Sequence, residues 1–75
     1  MDEDQLKAAG LKVTTPRMRI LTLLGELDQP HVSAEQVYQT LRDAGEDIGL
    51  ATVYRVLTQF EQAGIVEKHF FSGNQ

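Results

Sequence analysis

Cysteine is missing from all 75 residues, which removes a disulfide scaffold and any thiolate metal site from consideration. The opening MDEDQ is acidic where a secretory signal needs a basic stretch and then an apolar run. No apolar stretch approaches the ~20 residues that cross a bilayer. Internal repeats and low-complexity segments are absent. So are the glycine-rich phosphate loop and the serine elbow, and the two histidines, His31 and His69, lie far apart in sequence. Enzymes built on those arrangements are excluded, and the acids of 43–47 read as a solvated turn rather than a catalytic pair. Length is short as well: one small domain spanning 1–75, or a piece of a longer protein, is all it allows. A chain of this size buries only about 60% of the surface it exposes when unfolded. The expectation is a soluble, cytoplasmic, non-enzymatic domain with no membrane partner.

What is present is an ordinary globular composition, 41% hydrophobic and 24% charged, which argues against wholesale disorder. The net charge of −4 is unevenly spread. Residues 1–9 carry −2 and residues 26–47 carry −5, whereas residues 10–20 carry +3 from Lys12, Arg17 and Arg19 with no acid among them. For an approaching partner that asymmetry matters more than the total.

Apolar spacing and breakers predict four short helices. The first covers 2–9 and ends at Gly10, with Leu6 and Ala9 leaning on the body. Thr15-Pro16 then reads as an N-cap followed by proline at the first helical position, where a missing N–H costs nothing. That helix runs to Leu27, with Ile20, Leu21, Leu24 and Leu27 on one face, and Asp28-Gln29-Pro30 stops it. Ser33 with Gln36 three residues on is a capping box for a third helix ending near Gly45, buried through Ala34, Val37, Tyr38 and Leu41. Ile48-Gly49 offers one short pairing stub. The fourth helix spans 51–63, with Val53, Val56, Leu57 and Phe60 as core stripe and Gly64 as left-handed C-cap. From Ile65 to Phe71 the period becomes that of a strand, and Ser72-Gly73-Asn74 reads as a turn. A lone strand is marginal, so the hairpin's second strand is expected beyond residue 75, in the N-terminal piece of a longer protein. The alternative is pairing with Ile48-Gly49 alone.

The outward face of the fourth helix carries Ala51, Thr52, Tyr54, Arg55, Thr58, Gln59 and Gln62. Its first turns are small and hydroxylated, with an aromatic and an arginine adjacent. Such a face suits entry into a DNA major groove: Arg55 can donate twice to guanine or reach a phosphate, and the Tyr54 ring can pack on a thymine methyl. A solvated polar face has the same composition. The order of parts favours DNA, because helix, acidic turn, helix, strand and glycine turn is the winged helix-turn-helix plan, mainly α with a small β-hairpin wing (α+β). A winged helix used for protein contact is the rival, and it predicts more exposed apolar residues than Tyr54 alone. Lys12 lies on the connection before the second helix, where a basic arm can reach a minor groove. Arg17 and Arg19 flank a helix start, where the dipole disfavours cations. A DNA phosphate would offset that, and so would Asp28 or Glu61.

The segments AGLKVTTPRMRIL, HVSAEQVYQTL and GEDIGLATVYRVLTQFEQAGIVEKHFF resemble the N-terminal domain of the ferric uptake regulator family of bacterial repressors. The resemblance covers the chain from Leu6 onward, and its flanking residues look most like the iron-sensing branch rather than the zinc or peroxide sensors that share TVYR. It implies a DNA-binding head joined to a C-terminal dimerisation domain that this chain lacks. It also implies homodimers on A/T-rich inverted repeats in promoters when a divalent metal, Fe2+ ahead of Zn2+, is bound. By position it makes Tyr54 and Arg55 base contacts, Lys12 the minor-groove lysine, and Arg17 and Thr52 phosphate contacts. His31 matches a regulatory metal ligand that is completed by the hinge and C-terminal domain. On composition a histidine between Pro30 and Val32 is most often a solvated or capping residue, and with its co-ligands absent any metal site here is expected to be weak or empty. His69 receives no metal role.

Overall fold

The computed structural model describes residues 2–27 and 31–67. Four helices occupy them: α1 (Asp2–Ala8), α2 (Thr15–Leu27), α3 (Ala34–Asp43) and α4 (Leu50–Gln62). Among the described residues there is no strand.

The α2 start differs from the Thr15 cap expected above. The Arg17 N–H donates to Thr14 Oγ1 at 3.3 Å, and the Met18 N–H to the Thr14 carbonyl at 2.9 Å. Thr14 is therefore the cap, and Pro16 takes the second helical position, where an N–H would have no intrahelical acceptor and its absence costs nothing. Starting one residue earlier gains the Thr14 carbonyl bond at no cost to the proline. At α3 the Ser33 hydroxyl accepts from the Gln36 N–H at 2.9 Å, as the capping pattern requires. Val32, just before that cap, and Val37, at the fourth helical position, are both buried, the placement of a hydrophobic staple.

Three helix ends are built alike. After α4 the Gly64 N–H meets the Glu61 carbonyl at 3.2 Å and the Ile65 N–H meets the Phe60 carbonyl at 2.9 Å, with Gly64 at φ 79°. This double closure satisfies the last carbonyls and needs a left-handed residue, which glycine supplies without a Cβ penalty. Gly10 and Gly45 close α1 and α3 in the same way. The cap also explains a correction. The strand expected from Ile65 does not begin there, because the Ile65 N–H is committed to Phe60, and Val66 also approaches that carbonyl at 3.4 Å. Ile65 and Val66 form a bend that packs on the core. Residues 68–71 of that strand and the turn at 72–74 lie outside the described residues. The Ile48-Gly49 stub forms no strand either, since Gly49 is the N-cap of α4.

The core joins all four helices. Leu6 comes from α1; Ile20, Leu21, Leu23 and Leu24 from α2; Ala34, Val37 and Leu41 from α3; Val53, Val56, Leu57 and Phe60 from α4. Burying each large side chain is worth about 1.5–3 kcal/mol, so α4 is held chiefly by its inner face. Leu27 and Tyr38 are half-buried at the margin instead of fully inside, and Leu23 joins from a position outside the predicted stripe. At the rim Thr22 donates a hydrogen bond to the Asp2 carboxylate, tying α1 to α2. The result fixes α4 against α2 and α3 with its other side open.

Candidate nucleic-acid interface

The open side of α4 begins at a helix start with no side-chain cap: Gly49 precedes Leu50, and its residue type leaves the first N–H groups without a capping oxygen. Such a start favours an anion. Just inside it, Ala51, Tyr54 and Arg55 are exposed and Thr52 is half-buried. Arg55 Nη2 donates to Thr52 Oγ1 at 3.3 Å, a contact within one helical turn that leaves most of the guanidinium's donors uncommitted.

The α2 start faces the same side. Arg17 donates from Nε and Nη2 to Gln59 Oε1 at 3.2 and 3.0 Å, and from Nη1 to the Lys12 carbonyl at 2.9 Å. One guanidinium therefore ties the arm at Lys12 to the middle of α4. Its three bonds end on two neutral oxygens, so its charge is not offset by them, and two of its five N–H groups remain for another partner. Thr14, Pro16, Arg17, Thr52, Arg55, Val56 and Gln59 together line a shallow concavity of about 260 Å³. Two arginines and two threonine hydroxyls around one hollow make it electropositive and rich in donors.

Charge pairing sharpens the contrast with neighbouring cations. Among the described residues the ion pairs are Lys7–Glu3 at 3.5 Å and Arg19–Glu46 at 3.4 Å. Arg19 is thus taken by the acidic turn before α4, an acid that differs from both partners considered above. Lys12, Arg17 and Arg55 have no carboxylate partner among those residues.

Tyr54 lies outside the concavity and leans the other way. Its hydroxyl donates a short hydrogen bond to Glu35 Oε2 in the first turn of α3. That bond lowers the Glu35 carboxyl below its ordinary value, helped by a backbone hydrogen bond, and raises the Tyr54 phenol above its own.

His31 stands apart. It is exposed and borders a separate groove with Leu21, Leu24, Ile65, Val66 and Glu67, which none of Lys12, Arg17, Thr52, Tyr54 or Arg55 lines. No group of three or more metal-ligating side chains occurs among the described residues. One imidazole does not hold a divalent ion, so these residues alone do not fit a resident metal. The structure thus brings Arg17, Thr52 and Arg55 together, attaches Lys12 through its backbone, orients Tyr54 separately, and leaves His31 elsewhere. Sequence reading missed Thr14 and Glu35 as members of this surface, and the role of Gln59 in it. Gln59 was visible as an outward residue, but no local spacing signals its bond to Arg17, 42 positions away.

Comparison with known proteins gives a consistent picture. The ferric uptake regulator family profile matches residues 8–75. The ferric uptake regulation protein of Pseudomonas aeruginosa is 59% identical over 73 residues, covering 97% of this chain and 54% of that protein. That of Escherichia coli K12 is 63% identical over 70 residues, covering 93% and 47%. Among solved structures, the Vibrio cholerae ferric uptake regulator superposes with a TM-score of 0.87 at 56% identity, over 97% of this chain and 56% of that one. That regulator shows a structural rearrangement of its DNA-binding domains. The P. aeruginosa regulator with manganese gives 0.82 at 61% identity, over 85% and 48%. The chain spans about half the length of the relatives it matches. Within the described residues no helix is long and apolar enough to cross a membrane.

Proposed function

The chain belongs to the ferric uptake regulator family, and from that membership and the open face of α4 we propose that it is the DNA-binding head of a metal-responsive bacterial transcriptional repressor. The observation that carries this reading is the cluster of Arg17, Thr52 and Arg55 around one hollow on the open face of α4, its two cations without a carboxylate partner among the described residues, with the Lys12 arm tied beside it. In this reading α4 enters the major groove of an A/T-rich inverted repeat. Arg55 and Tyr54 meet base edges, Arg17 and Thr52 hold phosphate, and Lys12 reaches into the neighbouring minor groove. The wing expected of the winged-helix plan lies outside the described residues. The protein works in the cytoplasm as a regulator rather than an enzyme, and pairs as a homodimer through a domain this chain does not contain.

Iron is the proposed signal ahead of zinc. Relatives have been solved with manganese and with iron, the latter from Francisella tularensis. His31 contributes one ligand to a site completed outside the chain, so the metal is expected to bind this chain weakly and no step within it runs through metal. Ligands shared between two domains give a metal a means of favouring one relative pose.

The test is fluorescence anisotropy with an A/T-rich inverted repeat and a scrambled duplex over a salt series. It uses the chain and two copies joined by a flexible linker that restores avidity. Tighter binding to the repeat, weakening as salt rises, is the expected result. If the linked pair shows no preference at any salt, the DNA reading is wrong and a winged helix for protein contact replaces it.

A further inference from the structure

Glu35 is an acid on the face proposed to meet DNA, where a carboxylate opposes every phosphate that approaches. It is exposed, it belongs to the first turn of α3, and its partner is the Tyr54 hydroxyl on α4. The two residues are 19 positions apart, so the bond joins the two helices of the helix-turn-helix pair. A phenol has one proton and two lone pairs. With that proton committed to Glu35, the Tyr54 oxygen can only accept from a third group.

We infer that Glu35 is a positioning and specificity-determining residue that orients the Tyr54 ring and turns its hydroxyl into an acceptor toward the groove. This rests on the DNA-binding function proposed above. An acceptor at that point matches an exocyclic amino group, adenine N6 or cytosine N4, and is repelled by guanine O6 and N7, thymine O4 and phosphate oxygens. Freed from Glu35, the same phenol could donate to any of those acceptors and would discriminate less. The lowered carboxyl and raised phenol keep the donor and acceptor roles fixed through neutral pH. Glu35 thereby trades affinity for all DNA against selectivity for some.

The experiment is a double-mutant cycle on the linked pair of chains, read as the ratio of affinities for the inverted repeat and the scrambled duplex. Glu35→Ala is expected to tighten binding to the scrambled duplex and lower the ratio by about two- to tenfold, the range of a single lost hydrogen bond. Glu35→Gln, whose amide oxygen still accepts from the phenol, should tighten scrambled binding while keeping most of the ratio. In a Tyr54→Phe background Glu35→Ala should leave the ratio unchanged. Ultraviolet titration of the tyrosines checks the contact without DNA: one phenol should fall toward its ordinary value in Glu35→Ala. A ratio unaffected by Glu35→Ala would reduce Glu35 to a repulsive charge and overturn the inference. So would an equal drop in the Phe background, or an unmoved phenol titration. A parent protein with no preference for the repeat would instead overturn the DNA reading beneath it, so the two failures are told apart by the parent alone.

Discussion

The two faces of α4 obey different rules. Inward, Val53, Val56, Leu57 and Phe60 are 0–4% exposed and belong to a core shared by all four helices. Outward, Tyr54 is 37% exposed, and the polar side chains make single contacts: Tyr54 to Glu35, Arg55 to Thr52, Gln59 to Arg17. Packing sets the first face, so volume matters there and any well-fitting apolar residue serves. On the second face donor geometry matters and volume does not. The helix is anchored by one side so that the other can remain open, and changes on the two sides should move different observables.

The largest effect belongs to the inner face. Phe60→Ala should cost about 3–5 kcal/mol of stability, a large part of the total available to a domain of this size. Urea denaturation monitored by helical circular dichroism measures it, and a loss below about 1 kcal/mol would mean the core closes without Phe60. On the outer face Arg55→Ala should leave the denaturation midpoint almost unmoved while costing about 1–3 kcal/mol of preference for the matched repeat, if the guanidinium makes a paired contact to a base. Equal losses on matched and scrambled duplexes would demote it to a phosphate contact. Stability loss matching that of Phe60→Ala would erase the distinction between faces.

A smaller effect tests the strut between α2 and α4. Because Arg17 holds the Lys12 carbonyl and Gln59 at once, Arg17→Ala and Lys12→Ala should couple in DNA binding by about 0.5 kcal/mol or more, which independent phosphate contacts would not do. Lys12→Ala alone should lower the salt slope by up to about one unit if its ammonium neutralises a phosphate. Additive losses would show that Arg17 does not aim the arm. An unchanged slope would confine Lys12 to contacts with bases.

The same contrast explains what could be read from sequence. The inner faces were legible because helical periodicity is a local signal: every member of the α4 stripe and three of the four α3 positions are buried as expected, with Tyr38 at the margin. Glycines after α1, α3 and α4 were equally legible, since each ends its helix with a positive φ. The outward residues Tyr54 and Arg55 could be named, and family resemblance assigned them roles. Their partners could not be named. Glu35 is one of the acids behind the −5 of residues 26–47 and carried no signal of its own, because its bond to Tyr54 depends on how α3 crosses α4. The Thr14 cap was missed because two adjacent threonines precede Pro16 and either satisfies the proline. The strand predicted from Ile65 does not begin there, because a helix cap competes for the same N–H.

The smallest predicted effect concerns pH, and it separates the faces most cleanly because the inner one has no titrating group. The Glu35 carboxyl is lowered below 4.5 by the Tyr54 bond, so its contribution to stability is complete above the unfolded value and is lost as pH falls through the lower folded one. The Tyr54 phenol is raised above 10.0, so its contribution is complete below that value and is lost as pH rises through the higher folded one. The stability difference between the parent and Tyr54→Phe should therefore be flat between those limits and shrink at both ends. The difference will be small, because both partners are exposed and water competes for the bond. Valine at position 57 in place of leucine should give a difference from the parent that does not change with pH in either limb. Urea midpoints of the three proteins from acid to alkaline pH provide the comparison. A Tyr54→Phe difference that ignores pH would mean the bond between α3 and α4 contributes nothing in solution, leaving the outer face to be ordered only by what it binds.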